Sequence, residues 1–75
     1  MSDRLPSLRP RQVIRALEKA GWRVVRQRGS HISLTKEGMP YIVTVPLHRR
    51  DLPRGTLRDI IRDSGLAIDE FLSYL

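Results

Sequence analysis

The sequence predicts a small α+β domain in which two helices pack on one face of a three-stranded antiparallel sheet. Two helical patterns, with apolar residues at i, i+3 and i+4, begin at Pro10 and Pro53. Between them, residues 22–45 contain β-branched and alternating segments separated by glycine. Helices and strands in this order can pack as two layers, with the helices on one face of the sheet and the other face left to solvent or a ligand. We expect residues 1–75 to form a single domain.

The first helix is predicted to begin at Pro10, after a loose arm over residues 1–9. Proline suits the first position of a helix because its fixed backbone angle is already helical. Val13 and Leu17 lie on the apolar face of this helix. Gly21 is predicted to end it, since glycine adopts the left-handed conformation that often follows a helix.

Three strands are predicted, over residues 22–28, 31–35 and 41–45. Gly29 allows a tight turn between the first two strands. The third strand is expected to stop before Pro46, because proline cannot donate a hydrogen bond to a strand ladder. The aromatic residues at the strand starts, Trp22 and Tyr41, could stack on unpaired bases, but their positions favour packing within the domain.

The chain is predicted to finish with two helices. After a polar loop over residues 47–52, the second helix runs from Pro53 through residue 63 and is stopped by Gly65. A short last helix is expected over residues 68–74. The apolar residues expected to be buried by these two helices are Leu57, Ile60, Ile61, Phe71, Leu72 and Leu75.

The composition is that of a basic chain. Its 75 residues contain 14 Lys and Arg against 8 Asp and Glu, a formal net charge of +6. Most of the positive residues are arginines, which pair bidentately with phosphate, and none follows Arg62. This uneven distribution indicates a polyanionic partner such as nucleic acid, although a general bias toward arginine would give a similar composition.

Several classes of protein are excluded by what the sequence lacks. Without cysteine there is no disulfide framework and no thiolate metal site. No apolar run approaches the roughly 18 residues of a membrane span, and no secretory signal is visible. We therefore expect a soluble, cytoplasmic protein that makes no membrane contact. No cofactor or metal is expected, because the two histidines form no zinc motif and no Gly-rich phosphate loop precedes a helix.

The run Gly29-Ser30-His31 is the strongest candidate for chemistry. In the second strand Ile32 and Leu34 share one face, so if they are buried, His31 faces outward. Imidazole both accepts and donates protons near neutral pH, and a basic run precedes this histidine. RNA carries its own nucleophile, the 2′-OH, so a proton acceptor beside positive charge can cleave it without a metal or a covalent intermediate. An ordinary surface histidine is the alternative interpretation.

Two other basic groups allow more than one interpretation. His48 lies in the loop after the third strand and is a candidate second proton carrier, a phosphate contact or a simple turn residue. Arg54, Arg58 and Arg62 recur every four residues and share one helix face. Such a stripe is either a solvated face or a track for a nucleic-acid backbone.

Four segments of the chain occur together in one known family. They are LEKAGW at residues 17–22, RQRGSH at 26–31, VPLH at 45–48 and GTLRDII at 55–61. In this order and spacing they resemble the HicA family of toxins from bacterial and archaeal toxin–antitoxin systems. Arg9 and Ala67 stand where relatives often have a serine-like helix cap, which affects the expected helix ends only.

The resemblance implies a fold like the double-stranded RNA-binding domain and a ribonuclease that acts on messenger RNA and reduces translation. It also implies an adjacent-gene antitoxin, HicB, that holds the toxin inactive. The family's active-site histidine falls on His31, preceded by Gly29 and Ser30. We expect the free chain to be a monomer.

These observations lead to the hypothesis of a metal-independent endoribonuclease with His31 as general base or acid. Arg26, Arg28 and Lys36 are expected to hold the phosphate, and Ser30 to position the scissile group. The remaining residues expected to contact RNA are Gly29, His48, Arg49 and Arg50. The alternatives are a non-catalytic RNA-binding module of the double-stranded RNA-binding type and a protein-interaction subunit whose arginines meet an acidic partner.

Overall fold

A computed structural model describes residues 5–75, which form an α+β fold of two layers. The elements are α1 (Pro10–Lys19), β1 (Arg23–Arg28), β2 (His31–Thr35), β3 (Val43–Pro46), α2 (Arg54–Asp63) and α3 (Ile68–Ser73). The strands form one antiparallel sheet in the order β1-β2-β3. The predicted fold class is confirmed. No helix within residues 5–75 is long and apolar enough to cross a membrane.

The core lies between one face of the sheet and the helices. Alternate residues of two strands, Ile32 and Leu34 in β2 and Val43 and Val45 in β3, are buried there. Both α1 and α2 contact β3. The helical residues buried in the same cluster are Val13, Ala16, Leu17, Leu57, Ile60, Ile61 and Phe71. No helix of residues 5–75 covers the opposite face of the sheet, where the alternate residues of β2 and β3 are exposed or half-buried.

The first strand is an edge strand and is exposed along its whole length. It begins at Arg23, one residue later than predicted, and Trp22 is only 2% exposed because it packs in the core. The packing interpretation is therefore confirmed for Trp22. The indole Nε1 has no hydrogen-bond partner among the residues that the structure describes.

The third strand begins and ends later than predicted. Tyr41 and Ile42 precede it and are about half exposed, so Tyr41 is not a core residue. Pro46 pairs with His31 as the last residue of β3. Leu47 donates its N–H toward β2, so the nitrogen of the preceding residue, Pro46, points away from that strand. The sheet therefore loses no hydrogen bond although proline has no N–H to donate.

The segment before α1 is not the loose arm that its sequence suggested. Residues 1–4 lie outside the described part of the chain, but Leu5 and Leu8 are buried in the core. Leu52 N–H donates to the Leu8 carbonyl at 2.8 Å, and Arg54 Nη1 donates to the Leu5 carbonyl at 2.6 Å. The carbonyls of these two leucines thus accept hydrogen bonds from α2 and from the loop before it, which ties this irregular segment to the rest of the domain.

The helix ends explain how the chain tolerates its unusual cap residues. Arg9 N–H donates to Gln12 Oε1 at 2.9 Å, and Ala67 N–H donates to Glu70 Oε1 at 3.1 Å. In α1 and α3 a side chain three positions on therefore bonds back to the cap, which is half of a capping box. At the C-terminus the prediction for Leu75 is wrong: it follows the end of α3 and is 48% exposed.

Candidate active site

The β1–β2 connection is a two-residue turn made by Gly29 and Ser30. Gly29 has φ +60°, and no non-glycine residue of the described chain has a positive φ. A positive φ at the first central residue alone is the pattern of a type II′ turn, whose twist matches that of the flanking strands. A Cβ at Gly29 would meet nothing within 4 Å. The glycine is therefore required by the backbone conformation and not by crowding.

His31 begins β2 and lies on the open face of the sheet. Its neighbour Ile32 is buried, as is Leu34, whereas His31 is exposed. The outward orientation expected from the alternation is confirmed. Arg28 is the direct partner of His31 across the β1–β2 ladder, so the two side chains leave the same face with Cβ atoms roughly 5 Å apart. Arg26 is the partner of Ser33, one pair further along the same face.

A β-bulge in β1 adds a third arginine to this face. The register changes between Val24 and Arg26, which leaves Val25 as the extra residue. Arg23 therefore pairs with Thr35, an open-face residue of β2. In a regular strand Arg23 would lie on the opposite face from Arg26, because successive side chains alternate. Sequence alternation did not reveal this position, since a bulge is defined only by how two strands pair.

We refer to Arg23, Arg26, Arg28 and His31 as the basic face. Within the described chain, the three strands contain no Asp or Glu, and the other open-face positions are small polar residues and Pro46. The acidic residues of the described part lie in helices, turns and loops. A phosphate on the basic face would therefore meet cations without a carboxylate to repel it.

The loop after β3 is attached to the hairpin turn. Leu47 N–H donates to the Ser30 carbonyl at 2.6 Å, which continues the β2–β3 pairing by one residue past the strand. This bond holds His48 beside the turn, and two exposed arginines, Arg49 and Arg50, follow. The structure thus brings these three predicted contacts to the same end of the sheet as His31. His48 faces a cleft shared with the start of α1.

Lys36 does not join this group. It follows the far end of β2, five residues from His31, a distance on the order of 15 Å along an extended chain. Its aliphatic chain runs beside Gly21, where an added Cβ would lie 3.1 Å from Lys36 Cε. Tyr41 precedes β3 at that same end, too far away to stack on a base held at His31.

The arginine stripe on α2 is engaged in local contacts. Arg54 donates to a backbone carbonyl of the N-terminal segment, as described above. Arg62 Nη1 lies 3.2 Å from Asp59 Oδ1, and Arg62 Nε lies 3.4 Å from Asp63 Oδ1. Arg54 therefore has a structural role, whereas the ion pairs of Arg62 are exposed and can exchange with other partners.

Comparison with models of known protein families gives a match. A family model described as the HicA toxin of bacterial toxin–antitoxin systems matches residues 10–66. The matched range contains the basic face and the loop with His48, and it leaves out the N-terminal segment and α3. No curated protein matches the chain. Among residues 5–75, no three His, Asp or Glu side chains are grouped in a way that could hold a metal ion.

Proposed function

This chain belongs to the HicA toxin family of bacterial toxin–antitoxin systems, and on that premise we propose that it is a metal-independent endoribonuclease that cleaves messenger RNA. The observation that supports this activity best is the pairing of exposed His31 with Arg28 on a face without carboxylates. Cleavage of messenger RNA would reduce translation, and we place this action in the cytoplasm. The buried apolar residues form one core, and we propose that residues 1–75 make up a single domain.

The proposed reaction uses the 2′-OH of RNA as the nucleophile. His31 accepts the 2′-OH proton as the bond between O2′ and phosphorus forms and the bond to the 5′-oxygen breaks. The leaving oxygen takes a proton from His48 or from water. Arg28 and Arg26 stabilise the negative charge that develops on the phosphoryl oxygens, and the Ser30 hydroxyl orients the scissile group. The immediate products of this step are a 2′,3′-cyclic phosphate and a 5′-hydroxyl.

The proposed regulator is an antitoxin of the HicB type that covers the basic face. The site is open in the free chain, which we expect to be monomeric, because no element of the described part lies over His31. A partner that binds only the folded toxin would also raise its free energy of unfolding by RT ln(1 + [L]/Kd).

The nucleophile gives the sharpest test of the activity. We expect the purified chain to cleave a single-stranded RNA, and to leave intact the same strand with one 2′-deoxynucleotide on the 5′ side of the scissile bond. The matched control is the same oligonucleotide with the deoxynucleotide placed two positions away, which should still be cut. Addition of EDTA should not change the rate. Cleavage at the deoxy position, or loss of activity in EDTA, would contradict the mechanism.

The non-catalytic RNA-binding module is the second candidate, and the observation that favours it is the line of three arginines on the open face. The same experiment separates the two. A chain that binds the RNA in a salt-dependent manner without ever cleaving it is a binding module. A chain that neither binds nor cleaves RNA acts through protein contacts alone.

A further inference from the structure

A basic cleft lies on the helix side of the sheet end, across from His31. It has a volume of about 360 Å³, near the lower limit of the roughly 300–1,000 Å³ typical of ligand pockets. The lining residues are Arg9, Pro10, Arg11, Leu47, His48 and Arg49. The lining thus combines three guanidinium groups and an imidazole with a proline ring and a leucine side chain. Among residues 5–75, no carboxylate lines the cleft.

We propose that this cleft binds a second nucleotide of the same RNA strand whose scissile phosphate lies at His31, so that the substrate is single-stranded. The phosphate contacts the guanidinium groups, and the sugar or base packs on Pro10 and Leu47. This inference rests on the proposed function and deepens it, because it names the form of the substrate and adds Arg9 and Arg11 to the residues that bind it.

The guanidinium groups of the cleft are available to bind an anion. Arg11 and Arg49 have no hydrogen bond or ion pair within residues 5–75. Arg9 Nε lies 3.8 Å from Asp51 Oδ1, but the two side chains are 67% and 49% exposed. Ion pairs as exposed as this one exchange readily with other partners. Arg11 also occupies the first turn of α1, which holds no acidic residue. A cation there is unfavourable for the helix dipole, so helix stability does not account for its placement.

The backbone connects the cleft to the basic face. Leu47, which lines the cleft, donates its N–H to the carbonyl of Ser30, and Ser30 immediately precedes His31. The two sites therefore lie on opposite sides of this end of the sheet, with His31 on the open face and Arg11 in the helix layer. A flexible single strand can bend around this end and place its phosphates on both sides. A stiff duplex cannot make such a turn within one or two nucleotides.

The test compares two arginines on one face of α1. Arg11 lines the cleft, and Arg15 lies one turn further along the helix, is exposed and does not line it. Each is changed to glutamine in a chain that also carries His31→Ala, so that bound RNA is not cut. The dissociation constant of a ten-nucleotide single-stranded RNA and of the corresponding duplex is measured at several salt concentrations. Thermal unfolding of each variant verifies that the fold is kept.

We expect Arg11→Gln to weaken binding of the single strand about fivefold and to reduce the slope of log K against log salt by about 0.7, the value for one lost phosphate contact. Arg15→Gln should leave both quantities close to those of the parent. The duplex should bind without dependence on Arg11.

Three outcomes would overturn the inference. If the chain with His31 intact cleaves the RNA but the two arginine variants bind alike, the cleft is not an RNA site and only this inference fails. If the duplex binds with the same dependence on Arg11, the substrate is not restricted to single strands. If no RNA is bound or cleaved by any variant, the proposed function fails and the inference fails with it.

Discussion

At the scale of single residues, the site depends on a histidine whose orientation is fixed by its neighbours. Strict alternation in β2 made this orientation predictable, because burial of Ile32 and Leu34 requires His31 to point outward. Lys36 is placed differently. An extended strand separates residues by about 3.3 Å each, and Lys36 lies at the other end of β2 from His31.

The backbone at Gly29 allows a test of the turn. Gly29→Ala should lower the free energy of unfolding by about 1 kcal/mol, because an alanine at φ +60° is strained. Gly55→Ala is the matched control: this glycine also has open space around it, but it lies in the first turn of α2 without a positive φ, so alanine should raise stability by up to about 0.5 kcal/mol. Urea unfolding of both variants measures the difference. Effects of the same sign would contradict the turn assignment.

At the scale of elements, the positions of helices and strands followed from periodicity, and the details of strand pairing did not. The ends of β2 and the start of α1 agree with the sequence pattern. The bulge at Val25 and the pairing of Pro46 both depend on a neighbouring strand, which no local pattern encodes. The bulge matters for function, because it turns Arg23 onto the face of His31.

The bulge predicts that Arg23 contributes to RNA binding as Arg26 does. Each of the variants Arg23→Gln and Arg26→Gln should reduce the salt slope of binding by about 0.7, since each removes one cation from the basic face. Arg15→Gln on α1 serves as the control for loss of charge alone. A slope that falls for Arg26→Gln and stays unchanged for Arg23→Gln would show that Arg23 faces away from the RNA.

At the scale of the whole molecule, charge and packing are divided between the two layers. The acidic residues of the described chain lie outside the strands, whereas the open face is basic, so the electrostatic field of the molecule guides a polyanion toward His31.

The core also depends on segments beyond the family match. Leu5, Leu8 and Phe71 are buried although they lie outside residues 10–66. The burial of Leu5 and Leu8 was not predictable, because two leucines near a proline show no periodicity.

The free energy of unfolding of a domain of this size is small, so loss of core residues in the flanking segments should lower it measurably. Phe71→Ala should lower the free energy of unfolding by about 3–5 kcal/mol, because it leaves a cavity in the core. Leu75→Ala, at an exposed position in the same C-terminal segment, should change it by less than about 0.5 kcal/mol. Thermal and urea unfolding report both values. A small effect of Phe71→Ala would mean that α3 is dispensable for the core.

The cleavage rate of His31→Ala tests the central claim most directly. The rate constant for cutting a single-stranded RNA is measured for this variant and for Thr44→Ala, which removes another exposed residue from the open face of the sheet. The account predicts that His31→Ala lowers the rate about 10²–10⁴-fold and leaves the unfolding temperature nearly unchanged, whereas Thr44→Ala cleaves like the parent. A His31→Ala variant that is folded and cleaves RNA as fast as the parent would contradict the assignment of His31 as the catalytic residue.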